Sequence, residues 1–334
     1  MLQRRLVSII VPCYNEAEVF PLLQQALVKL ADQLAGEYAV ELIFVDDGSR
    51  DTTWDLIRAF AAADARVRGL ALSRNFGHQA ALTCGYDLAQ GDAVICIDAD
   101  LQDPPQAIAE MLQRWREGYD VVQAVRKSRE GETWFKLWTA SLFYKLIRVL
   151  GAKHVRENAG DFRLMSRRAI EAFRRLREHH RFVRGMVGWL GFRETEITYE
   201  RKARAAGTTK YPFFKMLLFA MDAVVSFSAV PLRLAYLCAA LFSLVFLGYL
   251  GYAVAMYLFC DRQMVPGWTS LILAVTGFGA ANLFCLGLLG EYIGRTYAQV
   301  KERPLYLVME DTRSIVAQAS QAPPAPSPQQ GADS

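Results

Sequence analysis

Three carboxylates follow a short apolar run in the stretch VICIDADLQDPP, residues 94–105. Residues 94–97 predict a strand buried on both faces of a sheet, and the two prolines suit the start of a helix. Asp98 and Asp100 are two positions apart, so both can point toward one ion from the turn after the strand. Close like charges raise each other's pKa unless a divalent cation neutralises them. The stretch predicts a metal site, and a solvated acidic turn with a capping aspartate is the alternative.

Apolar runs alternate with amphipathic segments as far as residue 126, which predicts alternating strands and helices. The predicted strands are LVSIIVPCY, VELIFVDD, VRGLALS, AVICIDAD and DVVQAVR, and the predicted helices lie near 18–35, 51–63, 78–89 and 105–116. Repeats of this length predict an α/β fold, a mostly parallel sheet with helices on both faces. The first turn, VPCYNE, lacks GxGxxG, and GxxxxGK[ST] is absent from the sequence, which argues against dinucleotide and P-loop sites.

Polar clusters follow four of the predicted strands, at the edge where open α/β sheets bind ligands. They are PCYNE (12–16), DDGS (46–49), SRNFG (73–77) and DADLQD (98–103). Each cluster is ordinary turn chemistry by itself, but their ordered succession predicts one composite site. His78 follows the third cluster and is a candidate general base, with an ordinary polar residue at the start of a helix as the favoured interpretation.

Hydrophobic residues make up 53% of the 334-residue chain, and two stretches, 234–260 and 263–290, carry no charge at all. Each exceeds the roughly 20 residues that cross a bilayer, which predicts two transmembrane helices joined by a tight hairpin. Two buried helices of a soluble core are the alternative. The cations that flank the pair are Arg233, Arg295, Lys301 and Arg303. By the positive-inside rule both flanks and the N-terminal region are cytoplasmic, and the start of the chain does not resemble a signal peptide.

Two further segments, 133–150 and 211–227, are amphipathic, aromatic-rich and basic. They predict helices lying in the membrane interface, with ordinary packing helices as the alternative. Residues 151–210 contain fifteen Lys/Arg against seven Asp/Glu, an excess that suits anionic lipids or phosphates, or simply a solvated face. The predicted spans argue against nucleic acid as a partner. The six cysteines include no CxxC pair and are interpreted as small apolar side chains, and the Pro/Ser/Gln-rich end, 318–334, predicts a disordered tail.

Together these motifs resemble the polyprenyl-phosphate glycosyltransferases of glycosyltransferase family two, from about residue 7 to residue 306. The resemblance includes the exit sequence LLGEYIGRTYAQVKERP and implies a GT-A fold. The motif ENAGDFRLMSR (157–167) is most similar to the branch that places glucose on bactoprenol phosphate for lipopolysaccharide O-antigen modification. The branch that transfers formamido-arabinose has a different sequence after its equivalent aspartate. Glucose is therefore expected, with mannose or an amino-arabinose derivative as alternatives.

The resemblance implies a site for a UDP-sugar donor. The positions that match the uridine contacts are Pro12, Tyr14, Glu16 and Asp46. Asp98 and Asp100 match the DxD pair, with Gln102 beside them, and are expected to hold Mg²⁺ or Mn²⁺ on the diphosphate. These ions take a few hard oxygen ligands and complete their shell with substrate phosphates.

The resemblance also implies an acceptor site. Arg126 ends a predicted strand and Arg129 follows in the loop that the family places over the acceptor phosphate, where the planar arginine fork suits phosphate oxygens. Further phosphate candidates, each of which is otherwise a surface cation, are Arg163, Arg201, Lys202 and Lys210. Asp161 matches the aspartate beside the acceptor. Since the second pKa of a phosphate monoester is about 6, the attacking oxygen is already ionised, so we expect Asp161 to orient the acceptor or a sugar hydroxyl, with base catalysis as the second choice.

The expected reaction is a single in-line displacement with inversion, in which the lipid-phosphate oxygen attacks the anomeric carbon of UDP-glucose. The metal held by Asp98 and the arginines, Arg126 among them, are expected to neutralise the departing diphosphate. The expected location is the inner (cytoplasmic) membrane, the acceptor is a polyprenyl phosphate such as undecaprenyl phosphate, and the resemblance suggests a homo-oligomer. The predicted parts are a catalytic domain (1–210), an interfacial helix (211–230), a transmembrane hairpin (231–295), a cytoplasmic segment (296–317) and the tail. The rival functions are a membrane nucleotidyl- or phosphotransferase and a non-catalytic membrane scaffold.

Overall fold

The computed structural model describes residues 4–126, 159–200, 230–259 and 267–314. The strands in these ranges are β1 (Arg5–Cys13), β2 (Tyr38–Asp46), β3 (Val67–Leu72), β4 (Ala93–Cys96), β5 (Val121–Arg126), β6 (Ala159–Ser166), β7 (Glu194–Tyr199) and β8 (Val308–Asp311). The helices are α1 (Phe20–Leu34), α2 (Thr53–Ala63), α3 (His78–Leu88), α4 (Ala107–Arg116), α5 (Arg167–Arg174), α6 (Val183–Trp189), α7 (Val230–Phe259) and α8 (Trp268–Val300). The predicted interfacial helices, the hairpin turn and the predicted disordered tail lie outside the described residues.

The described strands form one sheet in the order β7-β5-β6-β4-β1-β2-β3-β8. β4, β1, β2 and β3 are parallel neighbours, as the alternating pattern predicts. β5 does not continue that series, because β6 lies antiparallel between β4 and β5, and β5 pairs in parallel with β7. The predicted α/β class with a mostly parallel sheet is confirmed, and the antiparallel insertion is a feature that the sequence pattern did not indicate.

Alternate side chains of β1 pack on opposite faces of the sheet. Val7, Ile9 and Val11 join a core with α1, α2 and α4, whereas Ile10 joins a second core with α3, α5 and α6. All four are fully buried, which explains why apolar side chains occur on both faces of this strand. Gly85 lets α3 approach closely, since a Cβ there would lie 2.3 Å from Cγ2 of Ile10.

The segment after α8 returns to the same sheet as its edge strand, with β8 antiparallel to β3. The Arg68 guanidinium binds both carboxylate oxygens of Asp311, at 3.2 and 2.6 Å. The Thr312 hydroxyl accepts a hydrogen bond from the N–H of Gly69 (3.0 Å). The predicted boundaries separated residues 296–317 from the catalytic domain and did not anticipate this pairing.

α7 and α8 contain two windows that are long and apolar enough to cross a membrane by length and composition, Ala235–Tyr252 and Ala274–Val300, with mean hydropathies of 1.7 and 1.3. Within the part of the chain that the structure describes, neither window has a buried residue, which argues against the alternative of two soluble core helices. Because β3 precedes the helix pair and β8 follows it, both ends connect to one sheet. Two membrane-spanning helices are consistent with this connection, because a chain that crosses the membrane twice returns to the side of the membrane from which it started.

Candidate active site

Asp47 joins the turn after β2 to the turn after β3. Its two carboxylate oxygens accept hydrogen bonds from the backbone N–H groups of Phe76 (2.7 Å) and Gly77 (2.9 Å). Gly48 has a φ of +68°, and a Cβ there would lie 2.5 Å from the carbonyl carbon of Arg74. The glycine is therefore needed both for the left-handed backbone and for the close approach of the two turns.

Asp46 lies at the end of β2, opposite the end of β1. Its Oδ2 accepts a hydrogen bond from the N–H of Ser49 (3.1 Å), whereas its Oδ1 is buried with no hydrogen-bond partner. Burial raises the pKa of this carboxyl. Pro12 is buried beside it, Tyr14 is exposed and Glu16 is half-buried, so the four residues expected at the uridine meet at the ends of β1 and β2.

Asn15 and its neighbour fasten the turn after β1 to the turn after β2. The N–H of Asn15 donates to the Ser49 hydroxyl (2.9 Å), and its Oδ1 accepts from the N–H of Arg50 (2.8 Å). The N–H of Glu16 donates to the Thr53 hydroxyl (2.9 Å). Asn15 adopts a φ of +55°, which asparagine tolerates better than most residues. Within the cluster PCYNE, Asn15 therefore stabilises the turn, whereas Pro12, Tyr14 and Glu16 are the residues expected to contact a ligand.

The turn after β4 offers buried oxygens without hydrogen-bond partners. Oδ1 of Asp98 and Oε1 of Gln102 are both of this kind, and Oδ1 of Asp100 accepts from the N–H of Gln102 (3.1 Å). Burial raises the pKa of Asp98 to about 6, and the charges of Asp161, Asp103 and Asp100 also raise it. Hard oxygens in an environment that disfavours their negative charge fit a divalent cation. Within the described ranges no group of three or more His, Cys, Asp or Glu side chains could hold a metal, so phosphate oxygens of a ligand would have to complete the shell.

Asp161, at the start of β6, is surrounded by three basic side chains. The Arg184 guanidinium donates from Nε to Oδ1 (3.2 Å) and from Nη2 to Oδ2 (3.1 Å). Arg163 Nη2 lies 3.2 Å from Oδ1, and His78 Nε2 lies 3.4 Å from Oδ2. Burial by itself would raise the pKa of Asp161, but the hydrogen bond with His78 and the charges of Arg184 and Arg163 hold it well below its usual range. An anion engaged in this way is a poor proton acceptor, which favours an orienting role over base catalysis.

His78 lies between the two groups of carboxylates. Its Nε2 is 3.4 Å from Oδ2 of Asp161 and 3.9 Å from Oδ1 of Asp98. Burial lowers the pKa of His78, but the hydrogen bond to Asp161 and the charge of Asp98 outweigh burial and raise it above its ordinary value. The sequence interpretation treated this residue as an unremarkable helix start, and its position directly after the SRNFG cluster was the one signal of a role in the site.

Two arginines, Arg163 and Arg184, contact Asp161 and differ in their exposure. Arg163 was predicted to contact the acceptor phosphate, but its side chain is 0% exposed and donates to the Gly160 carbonyl (2.8 Å) and to Asp161. This burial argues against direct contact with a ligand and places Arg163 behind Asp161. Arg184 was not singled out by any motif, yet its side chain is 39% exposed beside the same carboxylate. Its contact depends on how α6 packs, which no local pattern reveals.

Arg126 ends β5 opposite Tyr199, the last residue of β7. The Tyr199 hydroxyl donates to the Asp103 carboxylate, which connects this strand end to the turn of the DxD pair. The backbone of Arg126 is therefore at the same edge of the sheet as the carboxylates. The other predicted phosphate contacts, Arg129, Arg201, Lys202 and Lys210, lie outside the described residues.

Comparison with known proteins adds independent information. The family described as "Glycosyl transferase family 2" matches residues 8–174. The uncharacterized glycosyltransferase YkcC of Bacillus subtilis is 46% identical, over 91% of this chain and 93% of that protein. The SfII prophage-derived bactoprenol glucosyl transferase of Shigella flexneri is 38% identical, over 92% of this chain and 98% of that protein. The crystal structure of glucosyl-3-phosphoglycerate synthase from Mycobacterium tuberculosis aligns with a TM-score of 0.45 at 16% identity, over 67% of this chain and 79% of that one, a likeness too low to support a function.

Proposed function

This chain belongs to glycosyltransferase family 2, and we propose that it transfers glucose from UDP-glucose to a polyprenyl phosphate at the cytoplasmic face of the inner (cytoplasmic) membrane. The observation that carries the proposal is the 38% identity, over nearly the whole length of both chains, to a bactoprenol glucosyl transferase. The two candidate spans support a membrane location, where a long-chain lipid phosphate is accessible.

The donor would bind at the ends of β1, β2 and β4. Asp46 has a buried oxygen without a hydrogen-bond partner, which suits the N–H of a base or a ribose hydroxyl. Pro12, Tyr14 and Glu16 would complete the uridine site beside it. Asp47 would act indirectly, because it fixes the turn after β3 against the turn after β2.

Asp98, Asp100 and Gln102 would hold Mg²⁺ or Mn²⁺ together with the diphosphate of the donor. When bound, the ion would supply positive charge to the departing UDP. The support for this assignment is the pair of buried oxygens of Asp98 and Gln102 that have no hydrogen-bond partner. His78 lies between this group and Asp161, so it would keep the two halves of the site at a fixed separation.

The acceptor phosphate oxygen would attack the anomeric carbon in line with the departing UDP, so that the configuration inverts. Asp161 would orient the acceptor or a sugar hydroxyl, with Arg163 behind it and Arg184 at its exposed side. The phosphate contacts that we propose are Arg126, Arg129, Arg201, Lys202 and Lys210. Most of the rate acceleration would come from positioning and charge stabilisation, since the nucleophile is already ionised at neutral pH.

The test is incubation of the purified full-length protein with undecaprenyl phosphate and a panel of UDP- and GDP-sugars, followed by measurement of nucleotide release. We expect UDP release that requires both UDP-glucose and the lipid. Preference for another sugar would replace the donor assignment. Release of a sugar 1-phosphate would indicate a nucleotidyltransferase instead, and release of a nucleoside monophosphate would indicate a phosphotransferase.

A further inference from the structure

A cavity of about 560 Å³ lies where the C-terminal end of α8 meets the catalytic sheet. Its walls come from the loop after β3, residues 179–182, the last turns of α8 and residues 301–305. Asp46, Asp98 and Asp161 are not among its lining residues, so the cavity is separate from the carboxylates of the candidate active site.

The cavity is strongly basic. The lining residues that the structure describes include no Asp or Glu, and the Lys and Arg residues among them are Arg74, Arg181, Arg295, Lys301 and Arg303. Arg295 pairs with Glu291 (2.9 Å), but Arg74, Lys301 and Arg303 form no ion pair within the described part of the chain. The Arg74 guanidinium and the Lys301 ammonium instead lie 4.0 Å from the ring centroids of Phe76 and Tyr297.

Arg181 adds a charge at the wall of the cavity that forms no ion pair among the described residues, although Glu178 and Asp87 act on it at longer range. Its Nη1 donates to the Leu176 carbonyl (2.7 Å), and its guanidinium lies 5.0 Å from the Phe173 ring centroid. Its Nε and Nη2 are buried with no hydrogen-bond partner. Burial lowers the pKa of Arg181, which means that its environment disfavours the charge it carries. An anion in the adjacent cavity would offset that cost.

The position of α8 places this cavity at the boundary of a membrane. The uncharged part of α8, from Trp268 to Gly290, is about 35 Å long, which is enough to cross an apolar bilayer core of about 30 Å. The charged C-terminal turns of α8 that follow therefore extend out of the core, and they bind the catalytic domain there. The Gln299 side chain donates to the Arg177 carbonyl (3.1 Å) and accepts from the N–H of His179 (2.9 Å).

We propose that this cavity binds the phosphodiester headgroup of an anionic phospholipid from the surrounding leaflet. Basic pockets at the cytoplasmic end of membrane helices suit such headgroups, and the phosphate would lie among cations that lack a carboxylate partner. A bilayer phospholipid fits better than the acceptor lipid, because the acceptor phosphate has to reach the carboxylates of the active site and none of those lines the cavity. The inference rests on the proposed membrane location of α8, and it does not depend on the donor or the acceptor.

The test measures the thermal unfolding temperature of the full-length protein in detergent during titration with phosphatidylglycerol, without UDP-glucose or acceptor. We expect the wild type to be stabilised by phosphatidylglycerol and not by phosphatidylcholine. Lys301→Gln/Arg303→Gln should weaken the apparent affinity about 25-fold, since each cation near an anionic lipid contributes roughly a factor of five. Arg74→Gln, on a different segment, should weaken it about fivefold.

The matched control is Lys29→Gln/Arg58→Gln, which removes two exposed charges from the face of the sheet covered by α1 and α2. It should bind phosphatidylglycerol as the wild type does. Wild-type affinity in the cavity variants would overturn the proposal, as would an equal shift with inorganic phosphate. Displacement of phosphatidylglycerol by an equal amount of undecaprenyl phosphate would assign the cavity to the acceptor and would also overturn it. A protein without glucosyl transfer can still pass this test, so the two proposals fail separately.

Discussion

Replacing Asp161 with asparagine is expected to destabilise the protein through Arg163. The Asp161 side chain is 5% exposed and the Arg163 side chain is 0% exposed, and Nη2 of the arginine lies 3.2 Å from Oδ1 of the aspartate. Asn keeps the shape and one carbonyl oxygen but removes the negative charge. The Arg163 guanidinium would then be buried with two nitrogens that lack any partner, Nε and Nη1, and with its nearest anion gone.

The magnitude follows from how deeply each partner is buried. Breaking a buried ion pair by removal of one partner costs about 3–5 kcal/mol of the free energy of unfolding. Arg184 adds little to this figure, because its side chain is 39% exposed and solvent-exposed pairs contribute roughly 0–1 kcal/mol. We therefore expect a loss of about 3–5 kcal/mol for Asp161→Asn. The control Asp55→Asn makes the same chemical change in an exposed pair with Arg58 (2.9 Å) and should cost at most about 1 kcal/mol.

A double variant separates stability from chemistry. Asp161→Asn/Arg163→Met removes both charges and should recover most of the lost stability, because apolar replacements of buried ion pairs are often neutral or stabilising. Transfer activity should stay low in the double variant, since the orienting carboxylate is still absent. The assays are denaturant or thermal unfolding in detergent, followed by tryptophan fluorescence, and UDP release at saturating donor.

The effect should also depend on pH in a defined direction. The pKa of Asp161 is held well below its usual range, so its contribution is complete above the unfolded-state value of about 3.9 and is lost as the pH falls below it. Because Asp161 also raises the pKa of His78, the difference between wild type and Asp161→Asn should be largest between about pH 4 and the ordinary histidine pKa of about 6.5. It should decrease as the pH rises through the raised pKa of His78, and it should also shrink toward pH values of about 3. Equal stability of the two proteins at pH 7 would refute the reasoning that Arg163 depends on Asp161.

Three further predictions concern the metal and the acceptor phosphate. Asp100→Asn should abolish metal-dependent turnover and leave the protein folded, because it removes one anionic ligand from a small set, and near-normal turnover at saturating Mn²⁺ would contradict this. Burial raises the pKa of Asp98 to about 6 without metal, so protons should compete with Mn²⁺ for this carboxylate in acid. The Mn²⁺ affinity in the presence of UDP, measured by titration calorimetry, should be nearly constant above about pH 7 and fall up to about tenfold per pH unit below about pH 6. A flat profile would argue against Asp98 as a ligand. Arg126→Lys should lose about 1–3 kcal/mol of transition-state stabilisation, measured as kcat/KM for the lipid phosphate, because lysine keeps the charge and loses the planar fork. Changes below about twofold in both Arg126→Lys and Arg126→Ala would place this residue outside the site.

The part of the fold that the sequence predicts well is the part with local signals. The helices predicted near 18–35, 51–63, 78–89 and 105–116 all occur with ends within two residues, because each has an amphipathic period and turn residues at its ends. β8 has no such signal, since VMED is four residues long with two acids. Its place in the sheet depends on a partner more than two hundred residues away, Arg68, which binds Asp311.

The residues of the candidate site also separate into those that local sequence signals predict and those that depend on tertiary packing. Asp46 and Asp98 follow apolar strands directly, so the sequence could place them at one edge of the sheet. Arg184 could not be predicted, because its contact with Asp161 arises when α6 packs beside β6. The burial of Arg163 was not predictable for a related reason. The motif DFRL does not reveal that this arginine is 0% exposed and hydrogen-bonded to Asp161, two residues earlier on the same face of β6.

The most direct test of the central claim is the mass of the lipid product formed from undecaprenyl phosphate and UDP-glucose by the purified full-length protein. The proposed reaction predicts that the lipid phosphate gains one hexosyl residue and that UDP is released in equal amount. An unchanged lipid would contradict it, as would a lipid that gains a sugar phosphate with release of UMP, or one that gains a nucleoside phosphate with release of glucose 1-phosphate.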